Sequence, residues 1–139
     1  MIFCEEEIDI SFLEKIAKNM SDKNIELVLV DEKTMHGINL SQRGIDKTTD
    51  VLSFPLLENC ENLLGCIVIN LDEVSKNAIQ FKHSNEDEIS LLFIHAMLHL
   101  QGYDHEVDQG QMREKEKEWI DFFKLPKSLI IRVEEGENV

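Results

Sequence analysis

Positive charge is scarce in this chain: 14 lysines and arginines stand against 28 aspartates and glutamates, a net charge of −14. That balance argues against broad, salt-dependent adhesion to nucleic acid, which draws on clustered Lys and Arg displacing counterions. It leaves room for a local basic groove, since Arg43 and Lys47 stand close together, as do Lys124 and Lys127. Cysteine is also rare. Cys4, Cys60 and Cys66 are an odd number without a C-x-x-C pair, which excludes a thiolate zinc cluster or a redox dithiol and reads as reduced thiols. Cys66, inside an apolar run, reads as a small buried hydrophobe. With 2 prolines and 6 glycines there is no linker, and no repeat or low-complexity segment appears. Residues 1–139 are therefore expected to form one domain, a size suited to a single core. Long hydrophobic runs are missing too. Met1 to Cys4 followed by Glu5, Glu6 and Glu7 offers neither a basic leader nor an apolar span, so the expected location is the cytoplasm, away from membranes.

What is present alternates between strand and helix patterns. Ser11 to Asn19 is amphipathic, with Phe12, Leu13 and Ile16 on one side, and Ile25 to Val30 reads as a strand. Asp31 or Thr34 is placed to cap a short helix running toward Arg43. Thr49 to Phe54 is β-branched and alternating until Pro55 stops it, as in an edge strand. Leu64 to Leu71 is a continuous apolar run of strand length, and Asp72 opens a polar helical stretch to about Phe81. Ser84 with Asp87 resembles a capping box that starts a strongly apolar helix from Asn85 to Gln101, ended by Gly102. A last helix is expected from Val107 to Phe123, with Met112, Glu116, Trp119 and Phe123 near one face, and Glu134 to Val139 reads as a frayed acidic tail. The order implies an α/β (α+β) layer fold: a small mixed sheet of three or four strands covered by helices, with a metal site at the end of a central helix.

That site is read from His95-Ala96-Met97-Leu98-His99-Leu100-Gln101-Gly102-Tyr103-Asp104-His105. Positions i and i+4 share a helix face, so the His95 and His99 imidazoles converge on one point. Gly102 can take the left-handed conformation that turns the chain back and brings His105 in as a third ligand. Three neutral imidazoles leave one tetrahedral position open, the pattern of a catalytic rather than a closed structural zinc site. Simple burial of three histidines would instead be costly without a partner for each. The spacing H-x-x-x-H-x-x-G-x-x-H is shared with metzincin proteases, in which a Glu follows the first His as general base. Here Ala96 stands there, and a methyl group cannot take a proton.

A second constellation lies upstream, at Asn39, Arg43, Gly44, Asp46 and Thr49-Asp50-Val51-Leu52-Ser53-Phe54-Pro55. Arg43 offers a permanently charged planar fork suited to a phosphodiester, although spacing alone points first to a surface salt bridge. His36 and His83 read as exposed or helix-end residues. Phe54 reads as core, and Tyr103 as either core or a stacking platform for an unpaired base.

Taken together, Asn39, Arg43, Thr49 to Pro55, Gly65 and His95 to His105 closely resemble, in order, the motifs of the YbeY family of bacterial rRNA maturation factors. The departures are Gln42 where Tyr is usual, Thr48 where Pro is usual and Ala96 where Gly is usual. The resemblance implies one zinc ion per chain on His95, His99 and His105, with Arg43 as the functional arginine of the cleft. It also implies metal-dependent, single-strand-specific endoribonuclease activity on the 3′ end of small-subunit rRNA, and a part in ribosome quality control. Expected partners are single-stranded rRNA and the small ribosomal subunit or one of its proteins, without DNA. Asp104, Glu106, zinc hydroxide or the RNA 2′-hydroxyl could each supply the base, and Asp104 could instead orient a ligand imidazole. Two other readings stand beside this one: a non-catalytic, zinc-stabilised ribosome-assembly factor, which the net charge suits, and a metallopeptidase.

Overall fold

A computed structural model describes residues 1–55 and 62–135 of the chain. Strand β1 (Ile2–Cys4) leads to helix α1 (Ser11–Met20), then β2 (Asn24–Val30), α2 (Glu32–Arg43), β3 (Val51–Pro55) and β4 (Leu63–Asn70). Helices α3 (Leu71–Phe81), α4 (Asn85–Leu100), α5 (Gln111–Phe122) and α6 (Lys127–Glu135) follow. The sheet order is β1-β2-β4-β3. β1 and β4 run parallel to β2, and β3 runs antiparallel to β4 along the edge, which makes the sheet mixed.

Strand alternation divides the apolar side chains between two layers. Ile25, Leu27 and Leu29 of β2, Ile67 and Ile69 of β4 and Val51 of β3 join the main core with α1 and α4. On the opposite face Leu52 and Val68 pack under Met35 of α2, with Val28, Val30, Ile38, Phe54 and Cys66 around them. The α/β fold class of the sequence reading therefore holds, with four strands and helices on both faces.

Helix α4 is apolar nearly all round because it has neighbours on every side. It packs on β3 and β4 as well as α1, α3, α5 and α6. Ile89, Leu91, Leu92, Phe93, Ile94, Met97 and Leu98 are all buried, each worth about 1.5–3 kcal/mol relative to exposure. Its start is fixed by the expected capping box, with Ser84 Oγ accepting from Asp87 N and Asp87 Oδ2 accepting from Ser84 N. Its C-terminal end lies against β4 at Gly65. A Cβ there would sit 2.6 Å from the Phe54 carbonyl oxygen and 2.7 Å from Leu100 Cδ2, so only glycine allows this approach.

Several boundaries differ from the sequence reading. Asn70 Oδ1 accepts from Asp72 N and Glu73 N, so α3 is capped by Asn70 and starts at Leu71 rather than Asp72. The helix expected from Val107 begins only at Gln111, because the Asp108 carboxylate accepts from Gly110 N and Met112 N and holds residues 107–110 in a turn. β1 has only three residues, too short for any periodicity, and forms by parallel pairing with β2. Helix α6 takes Glu134 and Glu135 out of the expected tail, and residues 136–139 lie outside the described residues. It is helical because Leu129 and Val133, four apart, pack together on Leu91 and Ile120. Cys66 is half-buried rather than buried, with its Sγ 3.8 Å from Glu26 Oε1. Burial and the Glu26 carboxylate push its thiol up to about 11. Cys60 lies outside the described residues.

Candidate metal centre

The last turns of α4 carry His95 and His99 on one face, and the chain then reverses in a Schellman turn. Gly102 takes φ +101°, Gly102 N donates to the His99 carbonyl and Tyr103 N to the Leu98 carbonyl, both at 3.0 Å. This turn sets His105 opposite the two helical histidines. The ring centroids lie 4.7 Å apart for His95 and His99, 5.2 Å for His95 and His105 and 5.4 Å for His99 and His105. One nitrogen from each ring falls within 4.8 Å of the other two. His95 is buried, and the other two are half-buried.

The hydrogen-bond partners fix which nitrogens converge. His99 Nδ1 is 3.0 Å from the Tyr103 carbonyl, which only accepts, so Nδ1 carries the proton and Nε2 presents a lone pair. His95 Nδ1 faces the Glu116 carboxylate, with Oε1 3.3 Å away; the contact is electrostatic rather than a formed hydrogen bond, and the negative charge favours the proton on Nδ1. The two Nε2 atoms then meet at 3.1 Å. Two lone pairs at that separation repel unless a cation shares them, and nitrogen ligands about 2.0–2.1 Å from one tetrahedral ion lie roughly 3.3 Å apart. The donor set thus fits a divalent metal. Burial, followed by the neighbouring His95, lowers the His99 pKa and favours the neutral, ligating form.

A cavity of about 430 Å³ opens over the triad, with Arg43, Ser53, Ala96, Tyr103, Asp104 and Glu106 among its walls. Arg43 is the last residue of α2, where Gly44 closes the helix in the left-handed region at φ +70° and points the chain toward β3. Buried Asn39 donates from Nδ2 to the Lys47 carbonyl and fastens this loop to α2. Arg43 is exposed and has no ion-pair partner among the described residues, so the surface salt bridge that spacing suggested is absent there.

Asp104 and Glu106 stand exposed on the rim, Asp104 Oδ1 accepting from Glu106 N at 3.0 Å. The carboxylate behind His95 is Glu116 of α5, 2 % exposed, which the sequence reading placed only on a helix face. Its signal was a carboxylate beside Met112, Trp119 and Phe123 on an otherwise apolar stripe. Tyr103 both packs against the core and lines the cavity, whereas Phe54 belongs to the α2-side core. His36 pairs with Asp46 at 2.7 Å near the surface, and His83 sits at the end of α3 as expected, with its side chain buried.

The model of the family described as endoribonuclease YbeY matches residues 5–124. An endoribonuclease YbeY from Campylobacter jejuni is 60% identical over 133 residues, covering 95% of this chain and 98% of its own. One from Wolinella succinogenes is 53% identical over 128 residues, covering 92% and 91%. The solution structure of the Thermotoga maritima protein TM1509 superposes with a TM-score of 0.61 at 32% identity, over 99% of this chain and 94% of that one.

Proposed function

The chain belongs to the endoribonuclease YbeY family, and from that premise we propose that it is a zinc-dependent, single-strand-specific endoribonuclease. Its substrate is ribosomal RNA at the 3′ end of the small subunit, and it serves rRNA processing and ribosome quality control in the cytoplasm. The observation that carries this reading is the convergence of three imidazoles and Arg43, which has no ion-pair partner among the described residues, on one open cavity.

His95, His99 and His105 would hold the metal through their inward nitrogens. When bound, zinc supplies Lewis acidity toward a phosphoryl oxygen and an acidified water as nucleophile. The Tyr103 carbonyl accepts a hydrogen bond from His99 Nδ1, and the Glu116 carboxylate faces His95 Nδ1 at 3.3 Å, so both rings keep their Nε2 lone pairs turned inward. Arg43 grips the phosphate and stabilises the charge that develops on it, and a guanidinium cannot act as base at neutral pH. Asp104 and Glu106 are the carboxylates on the rim placed to accept a proton. Ala96 turns only a methyl group into the cavity, which removes the metzincin general base and sets the peptidase reading aside.

The net charge of −14 favours a basic ribosomal protein as the partner that brings RNA to the cleft. The same charge is what favours the second reading, a zinc-stabilised assembly factor without catalysis. The test compares wild type, His99→Ala and Arg43→Ala, all folded, for zinc content and cleavage of a single-stranded rRNA 3′-end fragment. Both variants are expected to lose cleavage, Arg43→Ala by about 10²–10³-fold, with zinc lost from His99→Ala alone. Equal residual cleavage in all three would identify a contaminating nuclease and leave the assembly-factor reading in place.

A further inference from the structure

A second cavity, of about 550 Å³, adjoins the one over the triad and shares Arg43 and Glu106 with it. Its volume lies within the roughly 300–1,000 Å³ of small-molecule sites. One wall is the loop bearing Lys47 and Thr48; the other is α3, through Asn77, Gln80 and Phe81. The floor is the buried Arg132–Asp50 ion pair, 3.3 Å between Nη2 and Oδ2.

Resting on the RNA-cleaving reading above, we propose that this cavity is a subsite for the base and ribose of the nucleotide adjoining the scissile phosphate. The charge of the lining supports a neutral occupant. With Arg132 paired to Asp50 and Glu73 to Lys76, the part of the cavity along α3 presents no unpaired cation to a phosphate. The cations are unevenly placed. Arg132 is held by Asp50 and Glu88 in the floor, and Glu73 is held by Lys76 at 3.2 Å. Arg43 and Lys47 have no ion-pair partner among the described residues. A chain that passes Arg43 with its phosphate therefore turns an uncharged nucleoside toward α3. The half-buried Phe81 supplies an apolar aromatic wall backed by the Arg132 guanidinium, 4.9 Å from the ring centroid. Gln80, exposed on α3, offers both a donor and an acceptor to a base edge, while the Thr48 hydroxyl, donating to the Glu32 carbonyl and accepting from Asn70 Nδ2, holds that wall in place. Only an unpaired nucleotide can enter, since a base in a duplex has its edge engaged and both faces stacked.

The test is binding of a five-nucleotide single-stranded RNA to the zinc-loaded full chain at low temperature, with the RNA shown intact by electrophoresis after each titration, read by fluorescence anisotropy and amide chemical shifts. Shifts are expected at Lys47, Thr48, Gln80 and Phe81 as well as near the triad. Gln80→Ala should weaken binding about three- to tenfold, the range for one lost hydrogen bond. Gln80→Trp, which blocks the mouth from an exposed helix position, should weaken it more than tenfold with zinc content unchanged. No binding to wild type, or shifts confined to the triad with equal affinity in both variants, overturns the proposal. The nuclease reading is separated by its own readout. Binding here without cleavage of RNA would keep the subsite and remove the activity, whereas cleavage with equal affinities would do the reverse.

Discussion

Glu88 and His95 stand seven residues apart on α4, 0 % and 2 % exposed, and their surroundings differ in kind. Around Glu88 the polar groups close on one another. His83 Nε2 meets Glu88 Oε1 at 2.7 Å, Arg132 Nη2 lies 3.4 Å from Glu88 Oε2 and 3.3 Å from Asp50 Oδ2, Asn77 donates to Glu88, and Ser128 meets the other His83 nitrogen. Arg132 lies between the two carboxylates, and His83, Asn77 and Ser128 complete the bonding around them, which offsets part of the cost of burial. Around His95 the groups instead converge. Outer partners hold the back of two rings, and the fronts of three face one another at the mouth of a cavity. A closed network tells of stability, and an open convergence of like lone pairs tells of a ligand.

The contrast can be broken from either end. The largest effect is expected for His105→Ala, which should reduce RNA cleavage more than 10³-fold while the metal-free protein keeps its stability within about 1 kcal/mol in urea unfolding. An equally large loss of stability would place His105 with the closed network. Glu88→Ala should do the opposite, costing about 3–5 kcal/mol in the same unfolding series because Arg132 and His83 lose their buried partner, while metal analysis still finds one ion per chain. Glu116→Gln is expected to weaken zinc affinity about 10–100-fold in competition with a chelator, since an amide orients the His95 ring less strongly than a carboxylate.

The smallest effect concerns pH. Burial already raises the Asp50 carboxyl, against the opposing pull of Arg132, so Arg132→Met should raise it further. A carboxyl whose folded pKa lies above its unfolded one destabilises the fold once ionised, and protonation relieves this. The stability deficit of Arg132→Met against wild type should therefore shrink, by roughly 1 kcal/mol, from about pH 7 to about pH 5. A deficit that stays constant would show that Asp50 is already neutral at pH 7.

Whatever depends on local spacing was legible in the sequence. The capping box at Ser84 and the i, i+4 histidines are helix properties, and the turn at Gly102 follows from the residue that can adopt it. Arg43 was different: its spacing suited a salt bridge, and only the family resemblance pointed it at the cleft beside the triad. Glu116 and Arg132 were not legible in their roles, because α5 and α6 must dock on α4 before either side chain meets its partner. β1 escaped for a related reason, since three residues hold no pattern and their pairing with β2 spans the whole of α1.

The most direct test of the metal centre is zinc K-edge X-ray absorption on the purified full chain, combined with elemental analysis. The expected result is one zinc per chain with three imidazole nitrogens and one oxygen ligand at about 2.0–2.1 Å. Sulfur scattering at about 2.3 Å, or zinc far below one per chain after saturation and desalting, would contradict it.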